Sequence, residues 1–527
     1  MRSVALPLGC GSSSGPSGFS GSGSDGSAGD SSARDGSGGS DSMIHLGGDA
    51  GEAGACVNLQ CQQTCAATTV EGTVYDPAGV NGLYNVYVYV PNAPLDPIPT
   101  GPKCTACQAP ASGSPITSTS TLSNGTFKLT NVPSGSNIPI VLQLGKWRRH
   151  LTLPTVGKCA TVMPPDGFFR LPNKQGETSP DDNIPLIAFT TGCDGAECFF
   201  ADRIGIDLTE FTGPGGGGRV HIYQSANDDE QVFPGINPGS ADALWASSPS
   251  LMMNYDIVFD ACECMPHDRG GAGGTDIGYI NFLKYLNAGG RAYTTHYFYN
   301  FYANEAECSE SSFGSSFEDS SDCYGQGKLP SVGEWEGNQG EPFAPPSNCP
   351  KSGTLPGDDG PGACLTIDTS IPKGAAFAEW YRDNNSKLEF GGGEAYGYVG
   401  LVDIREDMGE LQPSLVAAGT ATPWLYAGDL TSPYDAYYFS INTPIGTNAA
   451  TQCGRAIFSD VHVSGAGGSS DQSFQEEVPF GGTFPNYCVP SNRSDHAPNE
   501  LALEFLFFDL SSCVQNDKTM PTQPPSQ

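Results

Sequence analysis

Eighteen cysteines constrain this 527-residue chain more than any other feature of its sequence. Such a load of thiols is unusual in a reducing cytosol, whereas disulfides persist in oxidising compartments. The neighbours closest in sequence are Cys56 with Cys61 and Cys65, Cys104 with Cys107, Cys193 with Cys198, and Cys262 with Cys264. Zinc is the alternative, but no His-x₃₋₅-His pair lies near Cys104 and Cys107 to complete a site. We expect disulfides and an extracytoplasmic location, either secreted or anchored to an outer membrane.

The charge balance excludes several classes of partner. Asp and Glu number 58 against 24 Lys and Arg, which gives a formal net charge of −34. A chain of this charge repels phosphate backbones and anionic lipid head groups, so neither DNA nor RNA is an expected partner. No apolar run approaches the ~18 residues that a membrane-spanning helix needs. We therefore expect globular domains.

The first 66 residues combine a short apolar start with a segment dominated by glycine and serine. Positions 11–55 contain 14 Gly and 13 Ser, a composition typical of a flexible tether without a core. Positions 1–10 hold one positive charge, a short apolar run and then Gly9-Cys10, and they resemble the end of a bacterial lipoprotein signal. The resemblance implies lipidation of Cys10, followed by a disordered tether through residue 66. A merely exposed tail is the alternative.

Residues 67–157 carry short runs of β-branched and aromatic residues that alternate with a period of two. Such runs, bounded by turn residues, predict strands, and together they predict an all-β sandwich. The runs lie at 70–75, 86–90, 116–119, 126–129 and 140–144. Asn124-Gly125 separates the third run from the fourth, and Asn-Gly is a strong hairpin signal because both residues tolerate positive φ.

Four motifs of this segment resemble the carboxypeptidase regulatory-like family. They are Gly72-Thr73-Val74-Tyr75-Asp76, Asn85-Val86-Tyr87-Val88, Asn124-Gly125-Thr126-Phe127 and Val132-Pro133-Ser134-Gly135. Modules of that family are transthyretin-like sandwiches, and the resemblance implies a rigid, non-catalytic spacer or binding module. Residues 91–115 stretch the family pattern. The basic run at 146–150 is expected to be a solvated strand edge.

Residues 180–513 alternate continuous apolar runs with helical stretches. The runs at 184–189, 219–223 and 255–260 are candidate strands, and continuous apolar strands between helices indicate a parallel sheet covered on both faces. A helix at 277–286 has one broad apolar face, formed by Ile280, Leu283 and Leu286 beside Tyr279 and Phe282. It ends at Gly289-Gly290, which permit a left-handed stop.

Residues 303–445 interrupt this pattern and hold four cysteines. We expect a disulfide-stapled insertion with a helix at 375–382 and strands at 398–402 and 437–441. Residues 514–527 are expected to be a disordered tail.

The larger segment also resembles the class I glutamine amidotransferase-like fold and, within it, the ThuA-like group. The resemblance rests on a strand ending Tyr255-Asp256-Ile257-Val258-Phe259, a helix closing on Gly289-Gly290, and a strand ending in His296. It implies a three-layer, flavodoxin-like α/β domain with a late strand at 453–462 and a last helix at 499–510. The chain is thus expected to be multidomain, with a sandwich and an α/β domain behind a disordered N-terminus.

In such a sheet, ligands bind at the carboxyl ends of the strands. Amidotransferases place a nucleophilic cysteine there, where this chain has His296, and the family's His with Glu two residues on is replaced by His462 with Ser464. Because an imidazole is a poor acyl nucleophile, we do not expect the family's amide hydrolysis. His296, His462 and Asp460 are instead the candidate catalytic residues for general acid–base chemistry.

Tyr297, Glu263 and Asp260 are candidate ligand-binding residues near the same strand ends. We expect no metal and no cofactor. Cys262 is expected to form a disulfide, with Cys193 or Cys198 as candidate partners.

The favoured function is a non-catalytic, extracytoplasmic binding or envelope-structural protein with a degenerate amidotransferase-like domain. A cell-envelope glycan or a surface protein is the expected partner, and a lipid anchor at Cys10 is part of this hypothesis. The alternative is a hydrolase or sugar-modifying enzyme that uses the two histidines and Asp460. Six aromatic residues would suit a glycan-binding face, although most are expected in the core: Trp245, Tyr293, Tyr297, Phe298, Tyr299 and Tyr302.

Overall fold

Two compact units, Met1–Ala55 and Cys56–Gln527, make up the computed structural model of the chain. The structure describes residues 56–104, 107, 109–192, 196–225, 232–262, 276–303, 327–338, 363–385, 396–401, 406–426, 436–463, 483–488, 498–522 and 524. Cys10, the Gly/Ser-rich segment and Glu263 lie outside these residues. The described part is mostly strand, arranged in several sheets with few helices.

The first seven strands form two sheets whose facing side chains share a core. They are β1 (Thr69–Thr73), β2 (Tyr87–Pro91), β3 (Pro115–Ser120), β4 (Thr126–Leu129), β5 (Gly135–Leu144), β6 (Trp147–Val156) and β7 (Thr161–Val162). The strand orders are β4-β1-β7 and β3-β2-β5-β6. Val70 of one sheet and Val88 and Leu142 of the other are fully buried in this core.

The turn at Asn124-Gly125 is present, but the predicted hairpin is wrong. Strand β3 pairs with β2 and strand β4 pairs with β1, so the turn carries the chain from one sheet to the other. Gly125 has φ +78°, and a Cβ there would lie 2.6 Å from the Cα of Gly82. The close backbone approach therefore requires glycine.

The predicted disorder through residue 66 is wrong for residues 56–66. A 3₁₀ helix spans Asn58–Gln62, and a disulfide joins Cys56 to Cys61. A second disulfide joins Cys65 to Cys159. The described fold therefore begins at Cys56, tied covalently to the end of the two-sheet segment.

In the part of the chain that the structure describes, eleven strands form the largest sheet. They are β8 (Ile187–Thr190), β9 (Phe211–Thr212), β10 (Val220–Gln224), β11 (Gly239–Ser240), β12 (Ile257–Asp260), β13 (Arg291–Thr295), β15 (Ala363–Ile367), β16 (Tyr398–Leu401), β18 (Ala421–Tyr426), β19 (Ala436–Thr443) and β20 (Gly454–Ser459). The order is β11-β10-β8-β12-β13-β20-β19-β18-β15-β16, and β9 pairs with β10. A separate pair consists of β14 (Gly333–Asn338) and β17 (Glu406–Leu411).

The described residues form six helices: α1 (Ala196–Cys198), α2 (Ala241–Ala246), α3 (Ile277–Asn287), α4 (Pro372–Asn385), α5 (Pro413–Ala418) and α6 (Pro498–Ser511). Helix α3 stops before Gly289, which has φ +100°. Of the predicted apolar face, Tyr279, Phe282 and Leu286 are fully buried, whereas Ile280 and Leu283 are half-buried. Within the described ranges, every helix falls short of the length and apolarity that crossing a membrane requires.

Strands β10, β8, β12, β13 and β20 pair in parallel, and both faces of this part of the sheet are covered. Phe259 of β12 packs toward Phe507 of α6, with ring centroids 6.3 Å apart. Val258, the residue before it, belongs to the hydrophobic core on the other face of the sheet, together with Phe282 of α3. Coverage on both faces explains why these strands read as continuous apolar runs.

The described part of the predicted insertion extends the same sheet. Strands β19, β18, β15 and β16 continue it in antiparallel pairing from β20. Helix α4 includes the helix predicted at 375–382, and β16 and β19 fall at the two predicted strands. The disulfide staple predicted for this segment falls on side chains outside the described residues.

Helix α6 joins the two-sheet segment to the largest sheet. Trp147 of β6 lies 5.8 Å from Phe508 between ring centroids, and Tyr84 stacks on Phe505 at 6.0 Å. The two predicted domains therefore share one continuous hydrophobic core.

The described part of the chain contains five disulfides: Cys56–Cys61, Cys65–Cys159, Cys104–Cys453, Cys107–Cys513 and Cys198–Cys488. Of these, only Cys56–Cys61 joins cysteines that are close in sequence, whereas Cys104 and Cys107 each bond to a distant cysteine. These disulfides indicate an extracytoplasmic protein.

Two further predictions about charged segments are wrong. Arg148 and Arg149, predicted on a solvated edge, are buried; Arg149 forms an ion pair with Glu177. Asp517, predicted in a disordered tail, is fully buried and forms ion pairs with Arg455 and other partners. Each segment is ordered because a buried charge requires a fixed counter-charge.

Candidate functional site

Three adjacent parallel strands end at one edge of the largest sheet, and each is followed by a thiol or an imidazole. Cys262 comes two residues after β12, His296 directly after β13, and His462 three residues after β20. Cys262 Sγ lies 3.2 Å from His296 Nδ1, and His462 Nε2 lies 3.0 Å from the same nitrogen. The three side chains are 0%, 3% and 4% exposed.

His296 stands on a sharp turn from β13 into the 3₁₀ helix His296–Phe301. Its φ is +48°, in the left-handed region, which costs a non-glycine residue about 1–3 kcal/mol. Such strain persists where the surrounding structure holds it, and it often marks a functional position. The turn carries the imidazole off the strand end toward Cys262 and His462.

Hydrogen bonds from three neighbouring elements fix the loop that carries His462. Thr295 Oγ1 donates to the carbonyl of Val461 at 3.3 Å, and Asn499 Nδ2, at the start of α6, donates to the carbonyl of His462 at 2.9 Å. The N–H of Asp460 donates to the carbonyl of Tyr437 at 2.7 Å. The loop is thus held by β13, β19 and α6 together.

Two buried carboxyl groups lie behind His296. Asp407 of β17 places Oδ2 3.8 Å from His296 Nε2, so the two ring nitrogens of His296 face different groups. Asp460 accepts a hydrogen bond from the N–H of Met408 at 3.1 Å. Burial, and then the charge of Asp407, raise the pKa of Asp460 well above its usual range.

The structure brings most of the sequence-predicted residues to this edge. His296 and His462 are in direct contact, and Asp460 joins them through Asp407. The Tyr297 ring lies 3.8 Å from the His296 ring between centroids. Asp260, the last residue of β12, is fully buried. Glu263 lies outside the described residues.

Sequence reasoning missed Cys262 and Asp407. Cys262 keeps a thiol, and its predicted partner Cys198 is bonded to Cys488; the alternative partner Cys193 lies outside the described residues. The signal for Cys262 was its position just after a strand at the same edge. Asp407 comes from the insertion and belongs to no motif, so no sequence signal pointed to it.

Comparisons with known proteins leave the family open. No family model matches the chain, and no curated protein matches it. Among solved structures, one similar chain belongs to a type II cohesin–X–dockerin complex from Acetivibrio cellulolyticus, an N-terminal interface mutant. The similarity covers 25% of this chain and 79% of that chain, with 14% identity and a TM-score of 0.16, too low to carry an argument.

Proposed function

We propose that this is a non-catalytic extracytoplasmic protein that serves binding or envelope structure. In this proposal a carboxypeptidase regulatory-like sandwich adjoins a degenerate amidotransferase-like domain of the three-layer, flavodoxin-like type. The observation that carries it is burial: Cys262, His296, His462 and Asp460 are each at most 4% exposed. A catalytic group must reach its substrate, and these groups contact one another instead.

A cavity between the two-sheet segment and the largest sheet is the candidate place for a ligand. Its volume is about 370 Å³, within the roughly 300–1,000 Å³ of small-molecule sites. Ile98 and several prolines line it, together with the cationic side chains of Lys146, Arg148 and Arg291. Asp96 and Asp256 also line the cavity, and Lys146 forms an ion pair with Asp256. This mixed polar lining suits a sugar, whereas Trp245 and the other aromatic residues considered for a glycan face are buried.

Retention on purified cell-wall polysaccharides tests the proposal. We expect the full chain to be retained above an albumin control, and Ile98→Trp, which fills the cavity, to lose retention. Leu122→Trp is the matched control, because Leu122 is 64% exposed and lies outside the cavity lining. Equal retention of all three proteins would exclude the cavity as the glycan-binding site. No retention above albumin would exclude glycan binding altogether.

A hydrolase or sugar-modifying enzyme is the second candidate, because His296 and His462 lie 3.0 Å apart at the strand ends and Asp460 is linked to them through Asp407. This arrangement could move a proton in general acid–base chemistry. Hydrolysis of glycoside or ester substrates that is abolished in His296→Ala, with the fold retained, would favour this candidate over a binding role.

A lipid anchor at Cys10 is the remaining part of the proposal. Wild-type protein expressed in a bacterial host should partition into the detergent phase, and Cys10→Ser should remain in the aqueous phase. Identical partitioning of the two would leave secretion as the location.

A further inference from the structure

We propose that Cys262, His296 and His462 together bind one thiophilic transition-metal ion, either zinc or copper, at the carboxyl ends of β12, β13 and β20. The three side chains offer ligand atoms that all lie within 4.8 Å of one another. This inference goes beyond the binding role above, because it holds whether or not the protein retains a glycan.

The donor atoms converge on one point. His296 Nδ1 has Cys262 Sγ at 3.2 Å and His462 Nε2 at 3.0 Å, although one ring nitrogen makes only one good hydrogen bond. A tetrahedral ion with bonds of about 2.3 Å to sulfur and about 2.05 Å to nitrogen separates N from N by roughly 3.3 Å and S from N by roughly 3.6 Å. The two separations from His296 Nδ1 are shorter than these by only about 0.3–0.4 Å, and all three ligand atoms lie within 4.8 Å of one another. A small outward shift of the rings therefore accommodates the ion.

The other nitrogen of His296 faces a carboxylate, the kind of group to which a metal-bound histidine normally donates, at 3.8 Å, which is longer than a hydrogen bond. Metal-bound histidines usually donate their second ring N–H to a carboxylate or a carbonyl, which fixes the ring and increases its basicity. With Nδ1 directed at the ion, Nε2 faces Asp407 Oδ2 at 3.8 Å. Asp407 is thus a positioning residue that acts through His296.

The thiol of Cys262 supports the same conclusion. Ten described cysteines form five disulfides, yet Cys262 keeps its thiol beside two imidazoles. Coordination would occupy the sulfur and, with full burial, protect it from the oxidation that pairs the others.

The chemistry of the donors selects the ion. One thiolate and two imidazoles suit zinc or copper, whereas magnesium and calcium prefer oxygen ligands. The three donors leave the fourth position of a tetrahedron for water. The two ions are distinguished by experiment, because Cu²⁺ bound to a thiolate absorbs visible light and Zn²⁺ is colourless.

The test uses the full chain, purified without chelators from an oxidising compartment. Bound metal is counted by mass spectrometry, then stripped with a chelator, and Zn²⁺ and Cu²⁺ are added back separately. We expect about one ion per chain for the wild type and for His150→Gln, a control whose histidine is 25% exposed on β6. Cys262→Ser and His462→Gln should bind the same ion at least ~10-fold more weakly.

A second measurement on the wild type avoids variants that fail to fold. Alkylation of Cys262 by iodoacetamide, followed by peptide mapping, should be at least ~10-fold slower in the metal-loaded protein than in the stripped protein. Equal rates would overturn the proposal, as would equal metal affinity in Cys262→Ser and wild type. A chain that takes up neither ion while Cys262 reacts rapidly would indicate a thiol–imidazole nucleophile instead. None of these outcomes depends on polysaccharide retention.

Discussion

Replacing Asp517 with Asn should destabilise the protein strongly, because Asp517 is the central acceptor of a buried ion cluster. Its carboxylate accepts from Arg455 Nη2 at 2.7 Å and Nη1 at 3.1 Å, and from Thr422 Oγ1 at 3.0 Å. Lys373 Nζ lies 3.0 Å away. Without this charge, the two buried cations would share the single carboxylate of Asp509.

The structure sets both the size and the pH dependence of this effect. Removing one partner of a buried ion pair costs about 3–5 kcal/mol, a large part of the roughly 5–15 kcal/mol that stabilises a typical protein. Burial alone would raise the pKa of Asp517, but Arg455 and Lys373 outweigh burial and hold that pKa well below its usual range. Its folded pKa is depressed, so the stabilisation is present above the unfolded pKa of about 3.9 and is lost as the pH falls below it.

Guanidinium unfolding at neutral pH, with the disulfides intact, measures the difference. Trp424 is a suitable fluorescent reporter because its ring lies 5.7 Å from the Arg455 guanidinium carbon. Asp383→Asn is the control, since Asp383 pairs with Arg382 at the surface and should change stability by less than about 1 kcal/mol. If Asp517→Asn falls within about 1 kcal/mol of this control, the cluster does not anchor the tail.

Three further predictions address the proposed metal site and the interior of the protein. Asp407→Asn should weaken zinc binding about 10–100-fold in a chelator competition, and an unchanged affinity would contradict its action through His296. Burial, and then the charge of Asp76, raise the pKa of Glu504 well above its usual range, so the stability that Glu504 contributes is complete below about pH 4.3 and is lost as the pH rises through the folded value. Glu504→Gln should therefore flatten the thermal stability profile from about pH 4 to pH 8, whereas parallel profiles for the two proteins would refute the assignment. Trp147→Ala removes a fully buried side chain against α6 and should cost about 3–5 kcal/mol in urea unfolding; a loss below about 1 kcal/mol would show that this contact is dispensable.

The strands of the parallel part of the sheet were predictable because their burial is visible in the sequence. A strand covered on both faces needs apolar residues at consecutive positions, as 257–259 has, and a helix such as α3 must follow for the next strand to run parallel. Adjacent parallel strands end at one edge, so His296 and His462 could be assigned to a common region from sequence alone.

Features that depend on tertiary contacts were not predictable. Asn124-Gly125 encodes a local backbone turn, but which sheet receives the following strand depends on packing across the two sheets. Cys104 and Cys453 are 349 residues apart in sequence, and their pairing requires the folded chain to bring the start of β20 beside the two-sheet segment. Asp517 looks like an ordinary tail residue until its cationic partners are in place.

The insertion is the part of the chain whose role changes most once the structure is considered. From sequence it interrupts a domain, yet its strand β17 packs against β19 and against the 3₁₀ helix that begins at His296. That packing brings Asp407 to His296, and the N–H of Met408 to Asp460. Three strand ends supply the thiol and the imidazoles, and the insertion supplies the carboxylate that orients one of them. The proposed metal site is therefore complete only when the insertion has folded onto the sheet. Its geometry depends on residues that lie far apart in the sequence.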